Sequence, residues 1–418
     1  MGRGAKENRP HLKPVEKIQL SGEHLTLRLA AAAAFLLLGA GALAYTLVHL
    51  LSPEAGWQVI EASVSGGAGC GDEFVFLYDL GAAGASASAE SKAVSRLYSD
   101  ACRKMFQVFH TLESFEGLTN LRDVNLHPNE TLTVDEALYR AFETVRRHGD
   151  RTVYLGPVYE RYNGLFSCAD DSQLIDFDPY LSEEVRMEYE AAAAFASDPE
   201  AVDLRLLGDN QVCLYVSEEY LAYARQWGIG RYLDFGWLTN AFVIDYLAQV
   251  LTENGYTHGS ISSYDGFVRN LDSRELDYAV NLYDYARGAV WPAGVMNYRG
   301  PRSMAYLRDY PLNETDGRRM YRLATGEVRT GYLAIENGRC ESAVHDLIVY
   351  ADQAGCAELA LRAAPIYVAD ALDVTALEAL ADSGIQSVRV ENRVIRGTDP
   401  GLTLTELYEG YSTAENHA

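Results

Sequence analysis

Two periodicities divide this chain. Apolar residues recur at helical spacing over 90–115, where Val94, Leu97, Cys102, Met105, Phe106, Phe109 and Leu112 share one face. A second helix is expected over 134–148, opened by Thr133 and Glu136 at capping-box spacing. Alternation takes over at 73–80, where β-forming residues predict a strand. Further strands are expected at 347–351 and 387–391, with a helix running to Ala364 and another across 374–383. The acidic stretch 170–203 reads as surface helix and loop, and 205–228 as strand, turn and short helix. Several short strands punctuated by Gly, Pro and Asn-Gly are expected over 275–335. Strands and helices mix without regular alternation, so the expected class is α+β.

The most informative stretch is 233–270. A short strand and tight turn from Leu233 to Gly236 lead into a helix of about twelve residues. That helix stops at Asn254 and Gly255, and a second strand closes on a polar turn of Ser262, Ser263, Tyr264, Asp265 and Gly266.

One segment shows no periodicity. Residues 29–51 are 23 positions without a formal charge. As a helix they reach roughly 34 Å, enough for a bilayer core. Lys13, Lys17 and Arg28 precede the run and Glu54 follows it, which places the N-terminus in the cytoplasm. The expected organisation is a cytoplasmic tail (1–28), a transmembrane signal anchor (29–51), a Gly/Ser-rich linker (52–72), an extracytoplasmic domain (73–398) and a C-terminal tail (399–418). A cleaved signal peptide, with Ala42 to Ala44 at the cleavage site, is the competing reading.

Charge narrows the partners. The net charge is −24, with residues 1–28 at +3 and the remainder at −27. So acidic a body excludes a nucleic-acid partner, because phosphate binding needs a basic surface. Six cysteines are scattered without a C-x-x-C pair and nine histidines without ligand spacing, so neither a zinc knuckle nor a redox pair is indicated. Asp234, Phe235 and Gly236 spell a kinase-like triplet, but no glycine-rich strand pair or H-R-D loop precedes it.

The residues from Asp234 to Asp245 resemble a motif of the FAD:protein FMN transferase (ApbE-type) family, D-L-G-x-I-A-K-G-Y-A-V-D. Both Asp residues and Gly236 are kept, while Asn240 stands at the family's Lys and Ala241 at its Gly. The family's N-A-G-G-D turn becomes Ser262 to Gly266. The similarity extends to Thr119 through Asn125 and to Val153 through Pro157, where the family's Asp-Pro-Thr is missing. Arg329, Thr330 and Gly331 are what remains of H-x-x-D-P-x-T-G. The family's A-D-A-x-x-T-A helix is similar to 357–363, which puts Glu358 at the metal-ligand Asp and Arg362 at the Thr. A competing register over 369–375 separates Asp370 and Thr375 by five positions, where the motif needs four.

The resemblance implies a mixed sheet-and-helix flavin-transferase domain. It also implies an activity that splits FAD and attaches FMN to a Thr or Ser of a target protein, with Mg²⁺ neutralising the pyrophosphate. The family positions for catalysis are occupied by Asp234, Asn240 and Asp245, and those for the cofactor by Gly236, Ser262, Ser263, Tyr264, Asp265 and Gly266. Glu358 can serve as a ligand, whereas the cation Arg362 cannot coordinate a cation. Several motif positions are replaced together. A catalytically degenerate scaffold that binds a flavin nucleotide or a partner protein is therefore expected ahead of a working transferase with a rearranged site. An unrelated extracytoplasmic binding protein is the third reading. Salt bridging between Glu358 and Arg362, helix capping by Asp234 and a turn role for Asp265 are the purely structural alternatives.

Overall fold

The structure is a computed structural model that describes residues 54–62, 71–82, 84 and 86–414. Its centre is a nine-stranded sheet. The strands follow chain order across it: Gly56–Ile60, Phe74–Leu80, Gly259–Ser263, Phe267–Asn270, Arg302–Arg308, Asp346–Ala351, Gln386–Glu391, Val394–Gly397 and Ser412–Thr413. Neighbours are antiparallel except the last pair.

Side-chain alternation divides this sheet between two cores. Ala305, Leu307, Leu347 and Val349 join the larger core with the helices. Met304, Ile348 and Tyr350 join a smaller one under the long hairpin Asp277–Ala286 and Ala289–Arg299. Asp346–Ala351 is buried along its whole length, as expected of a strand covered on both faces.

Helices enter as insertions between strands. Residues 81–258 bring Ala87–Val108, Glu136–His148, Glu183–Ser197 and Thr239–Glu253, together with a three-stranded sheet of Thr131–Thr133, Val202–Gly208 and Gln211–Val216. Thr239–Glu253 lies in the larger core, burying Ala241, Phe242, Ile244, Leu247 and Leu251. Cys356–Tyr367 packs beside it, and Val374–Asp382 follows. The α+β class is therefore observed.

Several expectations need correction. Residues 231–235 belong to no strand, and Phe235 already has helical φ −75° and ψ −14°, so no strand precedes the Gly236 turn. The helix expected at 134–148 is capped by Asp135, whose side chain accepts from the Ala137 amide, because Thr133 is committed to a strand. Glu183–Ser197 is not merely a surface helix: Val185, Tyr189, Ala193 and Ala196 are buried. The expected short strands of 275–335 include a hairpin whose strands span 10 and 11 residues. The expected linker contains the edge strand Gly56–Ile60, and the expected C-terminal tail contains Thr403–Leu407 and Ser412–Thr413. Both segments were misread because their few apolar residues gain partners only across a sheet. The anchor expected at 29–51 lies outside the described residues. Among the described residues no helix is long and apolar enough to cross a membrane.

Candidate functional site

The Asp234 turn is braced before it reaches any cavity. Asn125 accepts from the Tyr232 and Leu233 amides at 3.0 and 2.8 Å and donates to the Leu233 carbonyl at 2.9 Å. Gly156 lets the following helix approach closely, since a Cβ there would sit 2.7 Å from the Arg231 carbonyl oxygen. Asp234 accepts from the Gly236 amide at 2.8 Å and pairs with Arg231 at 2.9 Å. Burial pushes its carboxyl above the usual range, and Arg231 opposes that. Gly236 has φ +52°, and a Cβ would lie 2.4 Å from the Tyr159 ring. Only glycine suits this position.

The second turn meets the first. Asn240 donates to Asp265 at 2.9 Å, Ser263 donates to the same carboxylate, and Arg319 approaches it at 3.7 Å. Burial raises the Asp265 carboxyl, with Arg319 opposing. Gly266, at φ +103°, lies so close to the Tyr306 carbonyl that a Cβ would be 2.4 Å away.

Between these turns lies a cavity of about 520 Å³, within the usual range for a small-molecule pocket. Asp234, Gly236 and Asp265 line it, and Gly331 of the recognised Arg329–Thr330–Gly331 segment does too. Trp237, Tyr159, Phe166 and Tyr332 supply aromatic walls, and Asp316, Arg318 and Arg319 a polar side. These residues escaped the sequence reading. Trp237 and Tyr332 directly follow recognised glycines, which was a usable signal; Arg318 and Arg319 carried none.

Other expected residues lie elsewhere. Ser262, Ser263, Tyr264 and Gly266 are not part of the lining. Tyr264 is 38% exposed, so it neither fills nor blocks the cavity. Asp245 accepts from the Cys356 and Ala357 amides at 2.7 and 2.9 Å, closing the N-terminus of the next helix. Glu358 and Arg362 are also outside the lining. They stand 4.0 Å apart, and Arg362 donates to the Ser383 hydroxyl at 2.6 Å.

Two groups implied by the resemblance can be tested against these residues. A flavin ring fits: Trp237 is 8% exposed, yet its Nε1 has no hydrogen-bond partner, and neither has the buried Nη1 of Arg319. Buried donors without acceptors suit a ligand carrying ring carbonyls. Mg²⁺ does not fit the recognised positions, because Arg362 adds positive charge beside Glu358. Among the described residues no group of three or more His, Cys, Asp or Glu is placed to hold a metal ion.

No family model and no curated protein sequence matches this chain. Solved structures do. An ApbE protein from Thermotoga maritima aligns with TM-score 0.54 and 12% identity, covering 80% of this chain and 94% of its own. The flavin transferase ApbE from Vibrio cholerae aligns with TM-score 0.53 and 13% identity, covering 85% of this chain and 98% of its own. With the strand order and the cavity in place, this chain has the ApbE-like flavin-transferase fold.

Proposed function

We propose that this protein is a catalytically degenerate flavin transferase, retained as a flavin-binding scaffold and held at the outer face of a membrane by residues 29–51. One observation carries the reading. The cavity between the two turns persists with aromatic walls and unpartnered donors, while Glu358 and Arg362 engage each other and Ser383 outside it. In this reading Trp237, Tyr332 and Phe166 hold the ring, and Trp237 Nε1 and Arg319 Nη1 donate to its acceptors. Flavin transfer from FAD also needs the pyrophosphate charge neutralised, and the recognised metal positions no longer offer a suitable donor set.

The decisive assay incubates the full-length chain with FAD, Mg²⁺ and a protein bearing a flavinylation site. Expected are saturable quenching of flavin fluorescence and no in-gel flavin on the acceptor. Fluorescent acceptor protein would establish a working transferase instead. For the anchor, protease added to intact cells is expected to degrade the C-terminal domain; a protected domain would reverse the topology.

A further inference from the structure

The charged groups around the cavity are paired among themselves. Asp234 holds Arg231 at 2.9 Å, and Arg231 also faces Glu160 at 4.0 Å. Asp316 holds Arg308 at 2.5 Å. The remaining two arginines, Arg318 and Arg319, are adjacent in sequence and both line the cavity. Both close on one carboxylate. Glu73, at the head of the strand Phe74–Leu80, accepts from Arg318 at 2.8 Å and from Arg319. Arg319 also lies 3.7 Å from Asp265. Among the described residues, each guanidinium in the lining has a carboxylate partner, and of their buried nitrogens only Arg319 Nη1 is left without an acceptor.

This arrangement bears on what the cavity accepts. A phosphate or diphosphate is bound tightly where guanidinium groups are free to face it. Glu73 lies behind the lining rather than in it, so an incoming phosphate must compete with Glu73 for the two guanidinium groups from the cavity side. That competition carries an electrostatic cost that an uncharged ring avoids. The ring's own requirements are met by aromatic walls and by the Trp237 and Arg319 donors that no acceptor occupies. Trp237 stands against Tyr332 with centroids 5.1 Å apart and nearly parallel to Phe267 at 6.5 Å, and its Nε1 lacks an acceptor.

The geometry points to Glu73 as a specificity-determining residue that substitutes for a ligand phosphate, so that the cavity selects the uncharged flavin ring and gains little from a diphosphate tail. The inference rests on the flavin-binding reading above, and it separates this site from one built to grip FAD through its pyrophosphate.

Fluorescence titration of the full-length chain in detergent with riboflavin, FMN and FAD, with and without Mg²⁺, tests it. Riboflavin is expected to bind within about threefold of FAD, without dependence on Mg²⁺. Glu73→Gln frees Arg318 and leaves Arg319 with Asp265 alone, and is expected to tighten FMN and FAD on the order of tenfold while leaving riboflavin unchanged. FAD binding tenfold or more tighter than riboflavin in the unaltered protein would overturn the role of Glu73 yet keep the flavin reading. Failure of all three to bind would sink the flavin reading itself, and this inference with it. The order in the unaltered protein decides the matter even if the variant does not fold.

Discussion

Asp245 shows how a motif residue can be kept for structural work. Its position in the sequence matches the last Asp of the family's helix motif. Its carboxylate nonetheless spends both oxygens on the Cys356 and Ala357 amides. Desolvation pushes the carboxyl up to about 6, with the two amide donors opposing. At pH 7.5 it is ionised and faces the positive end of the Cys356–Tyr367 helix dipole. Replacement by Ala strands two amide donors and is expected to cost about 1–3 kcal/mol. Urea unfolding of the detergent-solubilised chain, followed by tryptophan fluorescence, measures this. A midpoint unchanged from the parent would remove the capping role.

At the scale of elements, the same contact locks two helices together. Gly355 has an ordinary extended backbone, φ −80° and ψ 168°, so glycine is not required there by conformation. Space requires it: a Cβ would sit 2.4 Å from Asp245 Oδ2. Gly355→Ala is therefore expected to displace the carboxylate and destabilise by about 1–3 kcal/mol. Since both changes break one interaction, the double variant with Asp245→Ala should cost clearly less than the sum of the two. Strict additivity in a double-mutant cycle would show that the glycine serves something else. The central motif helix, Thr239–Glu253, was legible beforehand because its apolar spacing is long and regular. Gly56–Ile60 was not, because five residues ahead of a Gly/Ser-rich run carry no pattern until Phe74–Leu80 lies beside them.

For the molecule as a whole, buried titratable groups set a pH dependence. Desolvation holds the Asp346 carboxyl up to about 7, while hydrogen bonds from the Val390 amide and Tyr310 oppose it. Unfolded Asp titrates near 3.9. Between those values the folded chain keeps protons that the unfolded chain has lost, so stability falls as pH rises from about 4 to 7. Asp245 acts the same way up to about 6. His345 reinforces the trend: its hydrogen bond to Asp309 raises it, so its contribution is full below 6.5 and fades as pH rises through the raised value. Glu73 and Asp272 oppose it, since both are held low by their arginines against the desolvation that raises them. Their loss begins only below about pH 4.5. His110 and His148, both lowered by burial, oppose the trend below 6.5. The melting temperature is thus expected to fall from pH 6.5 to pH 8, and Asp346→Asn to flatten that slope. A melting temperature rising over this range would contradict the assignment.

The sequence by itself determined the α+β class, the main helices, the motif turns at Asp234 and Asp265 and the resemblance that relates them. These follow from local spacing, from glycines at fixed offsets and from propensities, all of which act over a few residues. It also showed that Asn240, Tyr264 and Arg362 depart from the family's pattern. Tertiary structure decided what those departures mean. Asn240 and Asp265 are 25 residues apart yet share a hydrogen bond, and Glu73 reaches arginines some 245 positions away. Asp245 became a cap, Tyr264 turned outward, and Glu358 with Arg362 fell outside the cavity. Charge pairing and cavity lining depend on which side chains a sheet brings face to face, and no short-range pattern along the chain encodes that.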